Sequence, residues 1–233
     1  MSQPTPQEIF FTRTGLDEKR VESLVGDALH GMDDGEMFLE YRQSESFSFD
    51  DGRLKAASYD TDQGFGLRAV SDESTGYAHA AELSENAIKR AASTVQAVRG
   101  GSLGAAAAGP TRTNSTLYVD DNPLNEVPFE EKIKLMQDID AYARAKDPRV
   151  RQVSASLAGS WQVVHMIRAD GHRVGDIRPL VRLNVSVVVG DGDRQETGSH
   201  GTGGRTGYVG YIDRDAWQGQ VDEALRQALV NLE

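Results

Sequence analysis

Residues 181–189 carry the clearest β-strand pattern of the chain. The segment is V-R-L-N-V-S-V-V-V, and its large apolar side chains recur at every second position: Val181, Leu183, Val185, Val187 and Val189. A period of two places these side chains on one face of a strand, so the segment is predicted to bury that face in a core. Asp191-Gly192 follows directly and is typical of a hairpin turn.

The rest of the chain predicts a repeated order of elements. An apolar stripe with helical spacing runs from Val21 to Leu29, and Ser84 is a suitable N-cap for a second helix. The intervening strands are predicted at Met37–Arg42, 46–49, Leu54–Ser58, Gly64–Val70 and Gly76–Ala81, with a hairpin turn at 50–52. A third helix is predicted after Pro128, with Phe129, Ile133, Met136 and Ala143 facing the core. Strands near 153–157, 161–167 and 181–189 follow it, and a final helix is capped by Asp213.

This order predicts an α+β fold: a mostly antiparallel sheet with flanking helices, in which helix–strands–helix occurs twice. Short connections between strands favour the antiparallel arrangement. We divide the chain into a mobile N-terminal arm (1–15), a first half (16–99), a linker or loop (100–126) and a second half (127–233), all within one N-terminal domain of a longer protein.

Charge and composition exclude several classes of function. The formal net charge is −11, which disfavours binding to nucleic acid or to an anionic membrane. There is no cysteine, so disulfides, thiolate zinc sites and cysteine nucleophiles are ruled out for this chain. Together with the absence of a secretory signal pattern at the start, this suits a cytoplasmic protein.

The histidines form no helical zinc motif. None of the 5 is paired at i, i+4 on a predicted helix. His165 and His172 flank a predicted turn at Asp170-Gly171, where they would hold a metal only with Asp170 or Asp176; solvent-facing or locally bonded histidines are the commoner outcome.

Two polar, glycine-containing segments are candidate contact regions. Asp60 and Asp62 precede Gly64, Gly66 and Arg68; paired acids of this kind act either as turn formers or as a general acid and base. Residues 198–210, G-S-H-G-T-G-G-R-T-G-Y-V-G, are predicted as a loop whose bare backbone allows close approach of an extended peptide.

Two arginines stand at the start of the clearest strand. Arg178 and Arg182 are four residues apart in R-P-L-V-R. Their guanidinium groups suit either the carboxylates of this acidic chain or the C-terminal carboxylate of a bound peptide.

Several long blocks resemble the TldD/PmbA family of zinc metalloprotease subunits. They are S-Y-D-T-D-Q-G-F-G-L-R-A-V-S, T-G-Y-A-H-A, V-S-A-S-L-A-G, D-I-R-P-L-V-R-L-N-V-S-V-V-V, G-G-R-T-G-Y and A-L-V-N-L, in order along the chain. The zinc motif of that family, H-E-x-x-x-H, does not occur in the sequence.

The resemblance implies the N-terminal domain of a two-subunit protease that cleaves unfolded peptides inside a channel. Zinc and the glutamate base belong to a later, missing C-terminal domain, so the resemblance assigns no catalytic or metal-binding residue and no cofactor to this segment, which is expected to be inactive alone. The implied partners are a TldE/PmbA-like subunit and unfolded peptides. Candidate channel or peptide contacts are Asp62, Gly64, Gly66, Arg68, Arg182, Gly203, Gly204 and Arg205.

Two other functions stay open at this point. The chain fits a stand-alone, non-catalytic peptide-binding or regulatory module, and it also fits the TldE/PmbA-like non-catalytic subunit. The blocks Q-G-F-G-L-R and R-P-L-V-R-L are more similar to the catalytic branch of the family.

Overall fold

The α+β class is confirmed in the computed structural model, which describes residues 4–98 and 119–233. The helices are α1 (Glu18–Leu29), α2 (Glu85–Val95), α3 (Phe129–Lys146), α4 (Val209–Ile212) and α5 (Arg214–Leu232). The strands are β1 (Asp34–Asp50), β2 (Arg53–Ser71), β3 (Ser74–Ala80), β4 (Val150–Arg168), β5 (Arg173–Asp191) and β6 (Arg194–Gly204). Helix, three strands and helix therefore follow one another twice.

The described strands form a six-stranded sheet in the order β3-β2-β1-β4-β5-β6. β3 pairs antiparallel with the end of β2, from Phe65↔Ala80 to Ser71↔Ser74. β6 pairs antiparallel with β5, from Val181↔Gly204 to Asp191↔Arg194. The predicted turns are confirmed: Asp51 and Gly52 have φ values of 50° and 74°, and Gly192 has a φ of 57°.

The strands are longer than the sequence predicts. The separate strands predicted within residues 37–49 are one strand, β1, and those within 54–70 are one strand, β2. Every residue from Arg53 to Gln63 is exposed, so neither face of this half of β2 is buried in a core. Asp60 and Asp62 lie in the middle of β2, and their interpretation as turn formers is wrong.

The chain separates into two compact units that are not consecutive in sequence. The first takes the described residues of Met1–Arg42, Thr61–Leu117 and Gln162–Ile177, and the second those of Gln43–Asp60, Tyr118–Trp161 and Arg178–Glu233. β1, β2, β4 and β5 each contribute residues to both units. This differs from the division into halves at 16–99 and 127–233, because a long strand passes through more than one compact unit. Of the predicted linker at 100–126, residues 100–118 lie outside the described chain; Pro123–Asn125 form a short helical turn in which Leu124 is buried.

In the first unit, α1 buries the apolar stripe expected from the sequence, and α2 buries an apolar stripe of its own. The α1 stripe contains Val21, Leu24, Val25, Ala28 and Leu29, and the α2 stripe contains Ala87, Ile88, Ala91 and Val95. Side chains cap both N-termini: Asp17 accepts the Arg20 backbone N–H at 2.7 Å, and Ser84 accepts that of Ala87 at 3.2 Å. α2 in turn packs against α1 and β3.

The N-terminal segment is packed where the sequence predicts a mobile arm. Residues Glu8–Thr12 form a helical turn in which Ile9, Phe10 and Phe11 are buried. The Phe10 and Phe11 ring centroids lie 6.5 Å and 5.5 Å from that of His165. Three adjacent apolar side chains provide enough area to hold this segment against the first unit.

In the second unit, α3 and α5 cover one face of the strands. The core contains the alternating residues of β5, Val153, Ala155 and Leu157 of β4, Phe47 and Phe49 of β1, and the buried sides of both helices. On α5, Trp217, Val221 and Leu225 are buried as predicted. Since neighbouring strand residues point to opposite faces, the even-numbered residues of β5 lie on the face away from these helices.

α3 buries Met136 and Ala143 as the sequence predicts, but its first turn differs from the prediction. Phe129 is 50% exposed, whereas Lys132 is 2% exposed. The Lys132 ammonium donates to Glu45 Oε1 at 2.5 Å and to the Leu124 carbonyl at 3.1 Å, and lies 4.9 Å from the Tyr208 ring centroid. These contacts replace the water that a buried ammonium loses, so a lysine occupies a position that the pattern assigns to the surface.

A substitution at Gly198 of β6 tests the contact between the sheet and α5. A Cβ at this position would overlap the Ala224 carbonyl oxygen and the Ala228 amide nitrogen, which belong to the helix backbone and cannot rotate away. We expect Gly198→Ala to lower the free energy of unfolding by roughly 1–3 kcal/mol in urea denaturation, since overpacking forces the backbone to shift.

Gly219 provides the matched control within α5. No atom lies within 4 Å of a Cβ built there. Gly219→Ala should raise the free energy of unfolding by about 0.5–1 kcal/mol because it improves helix propensity. Equal effects of the two substitutions would contradict the described packing of α5 on β6.

Candidate functional site

The predicted contact residues fall into two groups, one in each compact unit. Asp62, Gly64, Gly66 and Arg68 lie on β2 in the first unit. Arg182 lies on β5, Gly203 and Gly204 end β6, and Arg205 is exposed in the bend that follows, all in the second unit. Asp62, Gly64 and Gly66 line a cavity of the first unit, and Arg182 lines a cavity of the second unit; Arg68, Gly203, Gly204 and Arg205 line neither.

The cavity of the first unit is a pocket of about 360 Å³ beside the pairing of β2 with β3. Asp62, Gly64 and Gly66 line it, as do Tyr77 and His79 of β3. The Tyr77 and His79 rings are stacked with centroids 5.8 Å apart, and Tyr77 is 61% exposed. A Cβ on Gly66 would lie 2.6 Å from the Tyr77 hydroxyl oxygen, so glycine is the residue that leaves room for this ring.

Arg68 lies outside that pocket and belongs to a cluster of ion pairs. Its guanidinium donates to Glu36 Oε1 at 2.8 Å and to Asp34 Oδ2 at 2.8 Å. Arg168 donates to the other Asp34 oxygen at 2.9 Å. These carboxylates raise the pKa of Arg68. The Arg68 guanidinium therefore has carboxylate partners within the chain and needs no ligand to supply them.

Desolvation and hydrogen bonding shift the pKa of Asp34 in opposite directions. Partial burial would raise the pKa of its carboxyl, but the Gly35 backbone N–H, Arg68 and Arg168 together lower it below the ordinary value of 3.8. Asp34 therefore remains ionised and pairs with both arginines at neutral pH.

The cavity of the second unit is a groove of about 610 Å³ on the sheet face away from α3 and α5. Its lining comes from β1, β2, β4, β5 and β6 and is rich in small polar side chains, and Gly201 also belongs to it. The polar side chains are Ser48, Ser154, Ser156, Ser186, Ser199 and Asn184, with Asp50, Lys55 and Arg182 as charged members. We call this feature the serine groove.

Side-chain hydrogen bonds hold Arg182 in the serine groove. Arg182 Nε donates to Asn184 Oδ1 at 2.8 Å, and Asn184 Nδ2 donates to Ser156 Oγ at 3.2 Å. Gly201 is opposite Asn184 in the β5–β6 pairing, and a Cβ there would overlap Asn184 Oδ1. A glycine at this position therefore gives the Arg182–Asn184–Ser156 relay its space.

The glycines before Arg205 belong to a strand rather than to a loop. Residues 198–204 form the second part of β6, with Gly203 opposite Arg182 and Gly204 opposite Val181. A Cβ on Gly203 would lie 2.6 Å from the Val181 carbonyl oxygen. The loop prediction is wrong here because the valine-rich β5 supplies a pairing partner for a segment with low intrinsic strand preference.

The described histidines and carboxylates do not assemble a metal centre. Among residues 4–98 and 119–233, no group of three or more metal-ligating side chains is close enough to hold an ion. His165 is buried against Phe10 and Phe11, and burial lowers its pKa. The His172 backbone N–H donates to the Asp170 carboxylate at 2.9 Å in the turn. The hypothesis of a metal shared by these histidines therefore lacks structural support.

Family models match most of the chain. PmbA/TldA metallopeptidase domain 1 matches residues 35–108, and the PmbA/TldA metallopeptidase central domain matches residues 122–232. The Metalloprotease TldD homolog of Haemophilus influenzae is 38% identical over 208 residues, which is 86% of this chain and 43% of the relative. The chain belongs to the TldD/PmbA family.

The family assignment also gives the domain content. The models of the first and the central domain of the family match successive parts of the chain. It spans about half the length of the curated relatives it matches, between 43% and 48%.

Solved structures share the fold at low sequence identity. A candidate modulator of DNA gyrase from Bacteroides thetaiotaomicron has a TM-score of 0.73 at 15% identity and covers 92% of this chain and 50% of its own. TldE from Thermococcus kodakarensis has a TM-score of 0.68 at 16% identity and covers 90% of this chain and 47% of its own. At this identity the likeness establishes the fold alone. In the described part of the chain, no helix is long and apolar enough to cross a membrane.

Sequence reasoning missed the partners that complete both cavities. Tyr77 and His79 stand in the block T-G-Y-A-H-A, where alternation on a short strand places both on one face. The serines at 154 and 156 alternate with core residues, a signal that predicts a polar sheet face but not a groove. The Asn184–Ser156 contact joins β5 to β4 and depends on register between strands.

The ion-pair cluster predicts a pH-dependent effect of Asp34→Asn. Because the folded-state pKa of Asp34 is lowered, its stabilisation is complete above the unfolded-state value and is lost as the pH falls through the folded-state value. We expect the variant to unfold at lower urea concentration than the wild type at pH 7, and the difference to shrink as the pH is lowered below about 4.

Asp62→Asn is the matched control for this experiment. Asp62 is exposed, and no ion pair within the described residues involves it. Its removal should leave stability unchanged at every pH. A destabilisation by Asp34→Asn that stays constant from neutral to acidic pH would contradict the assignment of the effect to an ionised Asp34.

Proposed function

We propose that this chain is the scaffold and peptide-holding portion of a TldD-like metallopeptidase that cleaves unfolded peptides. Zinc and the groups that activate water belong, in this proposal, to a part of the protein beyond the half of the family length that this chain spans. The family description as a metallopeptidase and the lack of an H-E-x-x-x-H motif in the sequence together support the division of labour.

The serine groove is the observation that carries the proposal. Serine hydroxyls and an asparagine amide both donate and accept hydrogen bonds, and so match the peptide groups of an extended chain whatever its side chains. The glycine at 201 leaves room for the Asn184 amide that lines the groove. Such a surface holds peptides with little sequence preference, as a protease of unfolded chains requires.

In this proposal the chain restricts cleavage to unfolded peptides by limiting access, rather than by supplying catalytic groups. A groove of about 610 Å³ on a sheet accommodates a few residues of an extended chain but not a folded domain. In the proposal this surface forms part of the wall of a channel and works with a TldE/PmbA-like subunit in the cytoplasm. The similarity of fold to TldE supports pairing of two related subunits.

The pocket of the first unit extends the same function. Tyr77, His79 and Phe38 offer aromatic surface, and Gly64 and Gly66 leave space beside it. An aromatic pocket next to an exposed strand suits one side chain of a passing peptide.

The proposal predicts binding without cleavage by the 233-residue chain. We expect an unstructured peptide to bind to the purified chain but to remain intact, as judged by mass spectrometry, in the presence of equimolar Zn²⁺. The same peptide should be cleaved when the chain is continued to the full family length and combined with a TldE/PmbA-like subunit, and a chelator should abolish that cleavage.

Two results would contradict the proposal. Chelator-sensitive cleavage by the 233-residue chain alone would place the catalytic groups within it. Absence of peptide binding by a chain shown to be folded would remove its role in holding substrate. Either result is separable from misfolding by far-UV circular dichroism on the same sample.

A further inference from the structure

We propose that Arg182 anchors the C-terminal carboxylate of an extended peptide in the serine groove. The inference rests on the proposed function of the groove as a peptide-holding surface, and adds the chemical group that the groove recognises.

Arg182 is an arginine held in place without a carboxylate partner. Among residues 4–98 and 119–233, no acidic side chain forms an ion pair with it, although the chain carries a net charge of −11. Its Nε–H is taken by the Asn184 amide oxygen. The other four of the five N–H donors of a guanidinium are on the two terminal nitrogens, which form a planar fork suited to a carboxylate.

The Arg182–Asn184–Ser156 relay orients the Arg182 guanidinium but does not neutralise its charge. Asn184 accepts from Arg182 and donates to Ser156, so one hydrogen bond holds the guanidinium and the other holds the amide that accepts it. A neutral partner orients the cation without neutralising it. The space for the relay depends on Gly201, since any side chain there would overlap the Asn184 amide. Preorganisation of this kind lowers the entropic cost of binding.

The only carboxylate that lines the serine groove already has partners. Asp50 accepts from Ser154 at 2.6 Å and from Gln152 at 2.7 Å, and Lys55 lies 3.9 Å from its other oxygen. The Ser154 hydrogen bond is the largest of the effects that lower the pKa of Asp50. Competition from Asp50 for Arg182 is therefore limited, and Lys55 adds a second cation to the lining.

A single carboxylate fits this site better than a polyanion does. The acidic surface of the chain repels phosphate-rich polymers, whereas a lone terminal carboxylate brings one charge to one arginine. Serine and asparagine side chains then bond the peptide groups that precede the carboxylate. A free inorganic anion would gain the arginine contact alone.

Binding of a labelled unstructured pentapeptide tests the proposal directly. Fluorescence anisotropy would compare the peptide with a free C-terminal carboxylate, its C-terminal amide, and inorganic phosphate as a competitor. For the wild-type chain we expect the free acid to bind about tenfold more tightly than the amide, because charge-assisted hydrogen bonds to a guanidinium are lost on amidation. Phosphate at equal concentration should compete only weakly.

Substitutions distinguish binding of the carboxylate by Arg182 from binding of the peptide by the rest of the serine groove. Arg182→Gln should abolish the preference for the free acid, measured as the ratio of the acid and amide affinities, and Gly201→Ala should reduce the preference because it displaces Asn184. Arg214→Gln, at the exposed start of α5 and outside the groove, is the matched control and should keep the wild-type preference. Circular dichroism and thermal unfolding confirm that each variant is folded.

Each outcome decides between the two proposals. Equal binding of acid and amide by the wild-type chain, or a preference that survives Arg182→Gln, would overturn the carboxylate anchor and leave the peptide-holding groove in place. Phosphate that competes as well as the free acid would identify a general anion site instead of a peptide terminus. Failure of both peptides to bind would overturn the groove itself.

Discussion

The alternation of β5 is the constraint on which the second unit depends. Val181, Leu183 and Val185 and their successors at every second position are buried beneath α3 and α5, and each contributes roughly 1.5–3 kcal/mol by leaving water. A shift of one residue would turn all of them to the opposite face. The same register that builds the core therefore fixes Arg182 and Asn184 in the serine groove, so stability and the candidate site come from a single strand.

Local patterns were sufficient for the fold class, the helices and the turns, but not for strand length or compact units. The caps at Ser84 and Asp213 and the hairpin at 50–52 depend on neighbouring residues, and the sequence predicts them. In the exposed half of β2, from Arg53 to Gln63, the sequence predicts a strand only at Leu54–Ser58, and the strand continues beyond it because a neighbouring strand supplies hydrogen bonds. Burial of Lys132 depends on Glu45, which is distant in sequence.

For the candidate site, the sequence alone predicts which residues make contacts, whereas only the structure gives the neighbours of each residue. Arg182 and the glycines of β6 were predicted as contacts, and the register of β5 with β6 brings them together. Arg68 was predicted from the same kind of evidence, yet Asp34 and Glu36 occupy its guanidinium. An arginine seen in sequence alone does not reveal whether its partner is internal. Gly66 was predicted for bare backbone, and its lack of a side chain instead accommodates Tyr77.

In our proposal this family member contributes a surface rather than catalytic groups, and an unfolded peptide lies along the serine groove. Hydrogen–deuterium exchange of the chain, with and without saturating unstructured peptide, tests this most directly because it reports where backbone amides become protected. The account predicts added protection in β5 and β6 around residues 182–186 and 199–204, with α1 and α2 unchanged. Bound peptide that leaves exchange in β5 and β6 unaltered, or protects only the helices, would contradict it.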